Sequence, residues 1–240
     1  MAHRGGGTLA PENTLAAFRL GQSLGYTAHE FDVKLSRDGV AMLLHDETLE
    51  RTTSGRGRAC DFTWAELSQL DAGAWHSDAF RGERIPTFEA VARELIAKGT
   101  LANIELKPCQ GFERATGVEV ALRTRELWRG APVPPFFCSF SFEALAAARE
   151  TAPEIARMFL ASRFAEEDWA RLEALEAVAL GTNHRKLDYA NIARLHDRDY
   201  RIVTYTVNDA AVAQGLFDAG VDGIVTDNLA DFALRFPDWI

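Results

Sequence analysis

The sequence predicts an α/β fold of the (β/α)8 TIM-barrel class with a small insertion after His45. Short apolar runs alternate with amphipathic stretches of helical length, the pattern of β/α units that build a parallel sheet. Charged and imidazole side chains fall at the ends of different strands along the chain, where the mouth of a barrel would gather them. A doubly wound open sheet, the runner-up, would concentrate them near one switch point. At 240 residues, 47% of them apolar, the chain has the size of one such barrel and can build a large core. Residues 1–240 are therefore read as a single domain.

The first element is a helix over 13–24, where Pro11-Glu12-Asn13-Thr14 sets a proline and a capping residue ahead of LAAFRLGQSL. Strands follow at 27–35 and 39–44, then at 101–107, 135–139, 155–160, 177–182, 200–206 and 222–226. Helices over 86–98, 115–129, 141–151, 166–176, 188–198 and 209–219 carry apolar residues at i, i+3 and i+4. The alternation stops between Glu47 and Arg84, a turn-rich and aromatic stretch with one short helix at Thr63 to Gln69. It reads as an insertion at about 47–84. Following His45 directly, it should lie over the barrel mouth, where Trp64, Trp75 and Phe80 would either wall a substrate pocket or pack as a cap without touching substrate.

Composition excludes several roles. A net charge of -9 argues against nucleic acid or an anionic membrane surface as a partner, since either calls for clustered Lys and Arg. No segment approaches the roughly 20 apolar residues of a membrane span, and no signal peptide precedes residue 3, so no membrane insertion is expected. Cys60, Cys109 and Cys138 are odd in number and free of any CxxC spacing. They read as reduced thiols of a cytoplasmic protein.

The chemistry is carried by AHEFDVKL and LANIELKP. A strand points residues i and i+2 to one face, so Glu30 projects with Asp32 and Glu105 with Lys107. Three carboxylates and an ammonium at strand ends repel or desolvate one another unless a metal ion and a phosphate sit between them. His3, Arg4 and His45 add acid/base groups and an anion clamp. Few reactions other than phosphoryl transfer use that whole inventory. For Glu105 with Lys107 alone a structural salt bridge is an equal competitor; the full set argues for a site.

In order along the chain, AHRGGG, APENT, EFDVKL, LLHDETLERTTSG, LDAG, IPTFEA, NIELK, YTVND and GVDGIVTD resemble the successive motifs of the glycerophosphodiester phosphodiesterase family, in particular its short cytosolic bacterial members. The resemblance implies a barrel with an insertion after the second histidine, a divalent cation, and hydrolysis of glycerophosphodiesters, the deacylated phospholipids, to sn-glycerol 3-phosphate and an alcohol. It implies Glu30, Asp32 and Glu105 as metal ligands, and their oxygen-only chemistry suits Mg²⁺ or Ca²⁺. His3 and His45 match the family's general base and general acid, here with His3 as base and His45 as acid. Arg4 and Lys107 match its phosphate-binding cations. The nucleophile so implied is the glycerol's own 2-hydroxyl, giving a cyclic phosphate that water opens.

Two other readings stand beside this one: a lysophospholipase D-like phosphodiesterase, and a barrel that binds glycerophosphodiesters without cleaving them. Neither a basic amphipathic helix nor an apolar run to dock a lipid surface is visible. Of the remaining candidates, Asn13 is read as a helix cap, Glu12 as a support for the site or a cap, Asp222 and Asp227 as loop-fixing residues, and Tyr205 as an aromatic wall. His29 faces away from Glu30 and reads as outer packing. Family members carry apolar residues ahead of the His-Arg-Gly motif for the first barrel strand, whereas Met1 and Ala2 alone precede His3. The expectation is a chain begun several residues late, with His3 on a fraying edge.

Overall fold

Strand β1 (Ala28–Leu35) is buried at every position but its first, as a parallel strand covered on both faces must be. The structure, a computed structural model, describes residues 1–239. β1 is followed in the ring by β3 (Leu101–Leu106), β4 (Phe136–Ser139), β5 (Ala156–Ala161), β6 (Ala179–Asn183), β7 (Arg201–Tyr205) and β8 (Gly223–Ile224), each parallel to the next. Ala2 closes the ring. Its amide donates to the Ala28 carbonyl at 2.9 Å and its carbonyl accepts from Glu30, while the His3 amide donates to Thr226 at 3.0 Å on the other side. The molecule is therefore an α/β barrel of the expected class.

Two expectations change here. The run at 39–44 forms β2 (Ala41–Leu43), which is not a barrel stave: it folds back antiparallel on the upper end of β1, with Val33 opposite Leu43. Gly39, at φ 82°, makes the reversal that a β-branched residue would resist. The expected fraying at His3 is also absent among the described residues, because Ala2 is buried and paired on both edges. Below it the Met1 ammonium donates to Ile224 at 2.8 Å, and burial lowers its pKa to about 5.

Helices cover the barrel in the order the periodicity predicts. Thr14 caps α1 (Leu15–Ser23) by accepting from the Ala17 amide, so the cap is Thr14 and not Asn13. α2 (Trp64–Leu67) lies in the insertion; α3 (Phe88–Lys98) runs from a Thr87 cap to Gly99 in the left-handed region. α4 (Glu113–Leu127) and α5 (Phe142–Thr151) pack closest, where a Cβ on Gly117 would stand 2.2 Å from the Ala144 carbonyl. α6 (Asp168–Ala174), α7 (Ala190–His196) and α8 (Ala210–Asp218) complete the predicted set. The sequence reading did not foresee α9 (Leu229–Arg235), which seats Leu229 and Phe232 in apolar packing. Among the described residues no helix is long and apolar enough to cross a membrane.

The main core lies between staves and helices, with Phe18, Phe31, Phe88, Ile104 and Phe137 fully buried in it. The insertion has a core of its own around Leu49, Leu67, Ala72 and Ile85, against which Trp64 packs. Trp75 donates its indole N–H to the Ala72 carbonyl, and His76 meets the Phe80 edge. Trp64 thus packs within the segment, as the cap reading has it, whereas Trp75 is 41% exposed.

Candidate active site

Register brings the charged pairs together. Asp32 on β1 lies directly opposite Glu105 on β3, and Glu30 opposite Asn103, so the period-two rule places the three acids on one barrel face. One oxygen from each of Glu30, Asp32 and Glu105 lies within 4.8 Å of the others, and all three residues are buried. Lys107 Nζ sits 2.6 Å from Glu105 and 3.5 Å from Asp32. Arg4 donates its backbone N–H to Glu30 at 3.2 Å and approaches Asp32 at 3.6 Å through Nε. It does so from a left-handed backbone, φ 50°, a conformation costly for a residue with a side chain and common where a site imposes it. Asn13, at φ 59°, donates to the Asp32 carboxylate at 2.9 Å and accepts from the Asp32 amide at 3.2 Å. It is a clamp on Asp32, not the helix cap expected from sequence.

Burial sets the electrostatics of this group. It pushes Glu30 up to about 7 and Glu105 up to about 8, each raised further by the neighbouring Asp32 charge. Asp32 goes the other way: burial opposes its ionisation, but Lys107, Arg4 and the Asn13 hydrogen bond outweigh it and hold it well below the usual carboxylate range. Carboxylates buried and crowded in this way fit a hard divalent cation, whose positive charge would offset the burial and mutual repulsion that raise Glu30 and Glu105. The donor set is all oxygen, as Mg²⁺ and Ca²⁺ prefer.

Each histidine is held at Nδ1 by its own carboxylate. His3 meets Asp227 at 2.5 Å, and His45 meets Asp46 at 2.6 Å. Asp227 is fixed in turn by the Asn208 amide at 3.1 Å, and its carbonyl accepts from the Thr8 amide. Asp46 is gripped by Arg51, while buried Lys34 donates to the carbonyls of both His45 and Asp46. Burial works against protonating His3, yet the Asp227 bond and the Glu30 charge outweigh it and raise its pKa. At His45 burial prevails and the pKa falls.

All seven residues selected from sequence surround this spot. His3, Arg4, Glu30, His45, Glu105 and Lys107 line one cavity of about 210 Å³, and Asp32 lies behind them in contact with Arg4 and Lys107. The opposite wall is apolar, with Met158, Leu160, Val203 and Val225, and its rim is aromatic, where Phe140 meets Tyr205 edge to face. The aromatic wall thus comes from Phe140 and Tyr205 rather than from the insertion. A larger hollow of about 630 Å³ at the far end of the barrel is lined mainly by apolar residues such as Tyr26, Phe136 and Phe232. The smaller cavity is the one with convergent acid/base groups and cations, and is the candidate site.

Sequence reasoning missed the supporting shell: Asp46, Asp227, Arg51 and Lys34. Asp46 had a signal, since it follows His45 directly. Asp227 is 224 residues from His3 and only barrel closure makes them neighbours.

A host for phosphate esters needs cations for the non-bridging oxygens, a proton acceptor for the attacking oxygen and a proton donor for the departing one. One mouth of this barrel supplies all three, which defines the class: a phosphodiester hydrolase. The chain belongs to the glycerophosphoryl diester phosphodiesterase family, whose family model matches residues 3–231. YhdW of Bacillus subtilis is 35% identical over 243 residues, covering all of this chain and 95% of its own. The glycerophosphodiester phosphodiesterase of Caldanaerobacter subterraneus is 33% identical, covering 95% of this chain and 93% of its own. Among solved structures, an Oleispira antarctica phosphodiesterase in complex with the product sn-glycerol 3-phosphate is 34% identical, with a TM-score of 0.89 over 98% of this chain and 95% of its own.

Proposed function

We propose that the protein hydrolyses glycerophosphodiesters to sn-glycerol 3-phosphate and an alcohol, with His3 and His45 moving the protons and Glu30, Asp32 and Glu105 holding Mg²⁺ or Ca²⁺. The observation that carries this reading is the pairing of each imidazole with its own carboxylate, on a cavity the two rings share with Arg4 and Lys107. A carboxylate on Nδ1 fixes the ring tautomer and leaves Nε2 as the working nitrogen. Arg4 offers a planar fork to the phosphoryl oxygens and Lys107 a compact charge. When bound, the cation supplies Lewis-acid charge to the same oxygens.

One imidazole takes the proton of the glycerol 2-hydroxyl as that oxygen bonds to phosphorus. The other gives a proton to the departing alkoxide. Water then opens the cyclic phosphate with the two roles exchanged. The resting proton belongs on His3, whose pKa is raised, and not on His45, whose pKa is lowered. With that resting state His45 takes the proton of the 2-hydroxyl and His3 gives its proton to the departing alkoxide, the exchange of the roles that the resemblance implies.

A cavity of about 210 Å³ suits a glycerophosphoryl group, and the lack of a basic amphipathic helix to dock a lipid surface favours the water-soluble diester over a lysophospholipid. Three buried, unlinked cysteines accord with work in the reducing cytoplasm. Competition between glycerophosphocholine and lysophosphatidylcholine tests the substrate reading. Cleavage of the soluble diester first is expected, and preference for the lysolipid would move the protein to the lysophospholipase D class. A diester without the glycerol 2-hydroxyl should not be cleaved.

A further inference from the structure

We propose that Arg51 is a positioning residue, whose guanidinium joins Glu12 and Asp46 into one bridge and thereby sets His45 relative to the phosphate-binding Arg4. The inference rests on reading His45 as a proton-transfer group. Arg51 reaches Asp46 through Nε at 2.6 Å and Nη2 at 2.8 Å. It reaches Glu12 through Nη1 at 2.7 Å and Nη2 at 2.9 Å. The oxygens at both ends are shared: Asp46 Oδ1 also holds His45 Nδ1 at 2.6 Å, and Glu12 Oε1 also accepts from Arg4 Nη1 at 2.7 Å. A continuous line of hydrogen bonds, Arg4 to Glu12 to Arg51 to Asp46 to His45, thus runs along one side of the cavity.

Two features separate positioning from mere stability. The Arg51 side chain is 44% exposed, so water takes over part of its hydrogen bonding when it is lost, although its partners Glu12 and Asp46 are only 12% and 27% exposed. A planar fork engaged at both ends, however, fixes angles as well as distances. In addition, the backbone of the His45–Asp46 turn is held separately, from beneath, by buried Lys34. Losing Arg51 therefore frees the Asp46 carboxylate and the imidazole it orients, while the chain path stays in place. On this account the insertion contributes to the site by delivering a guanidinium, while Trp64 packs in the insertion's own core.

The test is a double-mutant cycle on the cation-loaded enzyme, with Arg51→Ala and His45→Ala made singly and together, followed by glycerol 3-phosphate release and thermal melting. Arg51→Ala is expected to lower kcat about 10²-fold, the cost of misplacing a reacting group by about 1 Å, with the protein still folded at the assay temperature by its melting curve. Guanidinium ion in the buffer should restore part of that rate where sodium chloride of equal ionic strength does not. In the His45→Ala background the Arg51 substitution should cost little more, because its effect passes through the ring. Losses that multiply, or a wild-type rate for Arg51→Ala, would overturn the role of Arg51. Arg51→Lys, which keeps the charge without the fork, goes through the same cycle, so the question is answered even if Arg51→Ala fails to fold. A fully active His45→Ala would instead overturn the reading of His45 itself.

Discussion

Asp46 and Asp227 decide what the two imidazoles can do. Each carboxylate fixes a tautomer, so Asp46→Asn or Asp227→Asn should lower kcat at least about 10–100-fold with the fold intact, as measured by product release beside circular dichroism. The imidazole pKa values move apart from their ordinary 6.5, His45 down and His3 up. A pair that works with one proton is then lost on the acid side, when His45 also protonates, and on the alkaline side, when His3 also deprotonates. The expected kcat/KM profile is a bell whose plateau spans 6.5; a single limb through that value would contradict it. Arg4→Lys should not be mild either, because an ammonium cannot reproduce the contacts that the Arg4 guanidinium makes with Glu12 and Asp32 together. At this scale Glu30, Asp32, Glu105 and Lys107 were legible in sequence because i, i+2 spacing in a strand has a single geometric meaning. Asn13 was misread because capping is the commoner use of an asparagine ahead of a helix, and its left-handed backbone leaves no trace in composition.

Strands and turns hold these residues in place. The Gly5-Gly6-Gly7 turn approaches the last barrel loop closely. A Cβ on Gly7 would stand 2.1 Å from the Asp227 carbonyl, at a φ of 55° that already disfavours a side chain. Gly7→Ala should destabilise the protein by about 2 kcal/mol or more and displace Asp227 from His3, seen as a lowered melting temperature together with lost activity. An unchanged melting temperature would show that the loop gives way freely. The periodicity gave most helices to within a few residues, since each buries one apolar stripe. It misassigned β2, because a short apolar run reads the same whether it pairs parallel in a barrel or antiparallel in a hairpin. It also overestimated the weakness of the N-terminus, where pairing on both edges lets Ala2 do the work of a stave.

For the molecule as a whole, the acid cluster makes stability depend on pH and cation together. Glu30 and Glu105 carry pKa values raised to about 7 and about 8 in the fold. The native state therefore holds protons that the unfolded chain has already lost, and its stability falls as pH rises through that window. A divalent cation takes the place of those protons. Added Mg²⁺ or Ca²⁺ should raise the melting temperature more at about pH 8 than at about pH 5, and equal shifts at both would argue against these ligands. The central claim, that these carboxylates and histidines form one cation-dependent glycerophosphodiesterase, is tested most directly by glycerol 3-phosphate release from glycerophosphocholine, with the cation chelated and then restored, beside His45→Ala. The account predicts release that stops with chelation, returns with Mg²⁺ or Ca²⁺, and falls about 10²–10⁴-fold in the variant. Release that survives chelation, or a variant as fast as the parent, would contradict it.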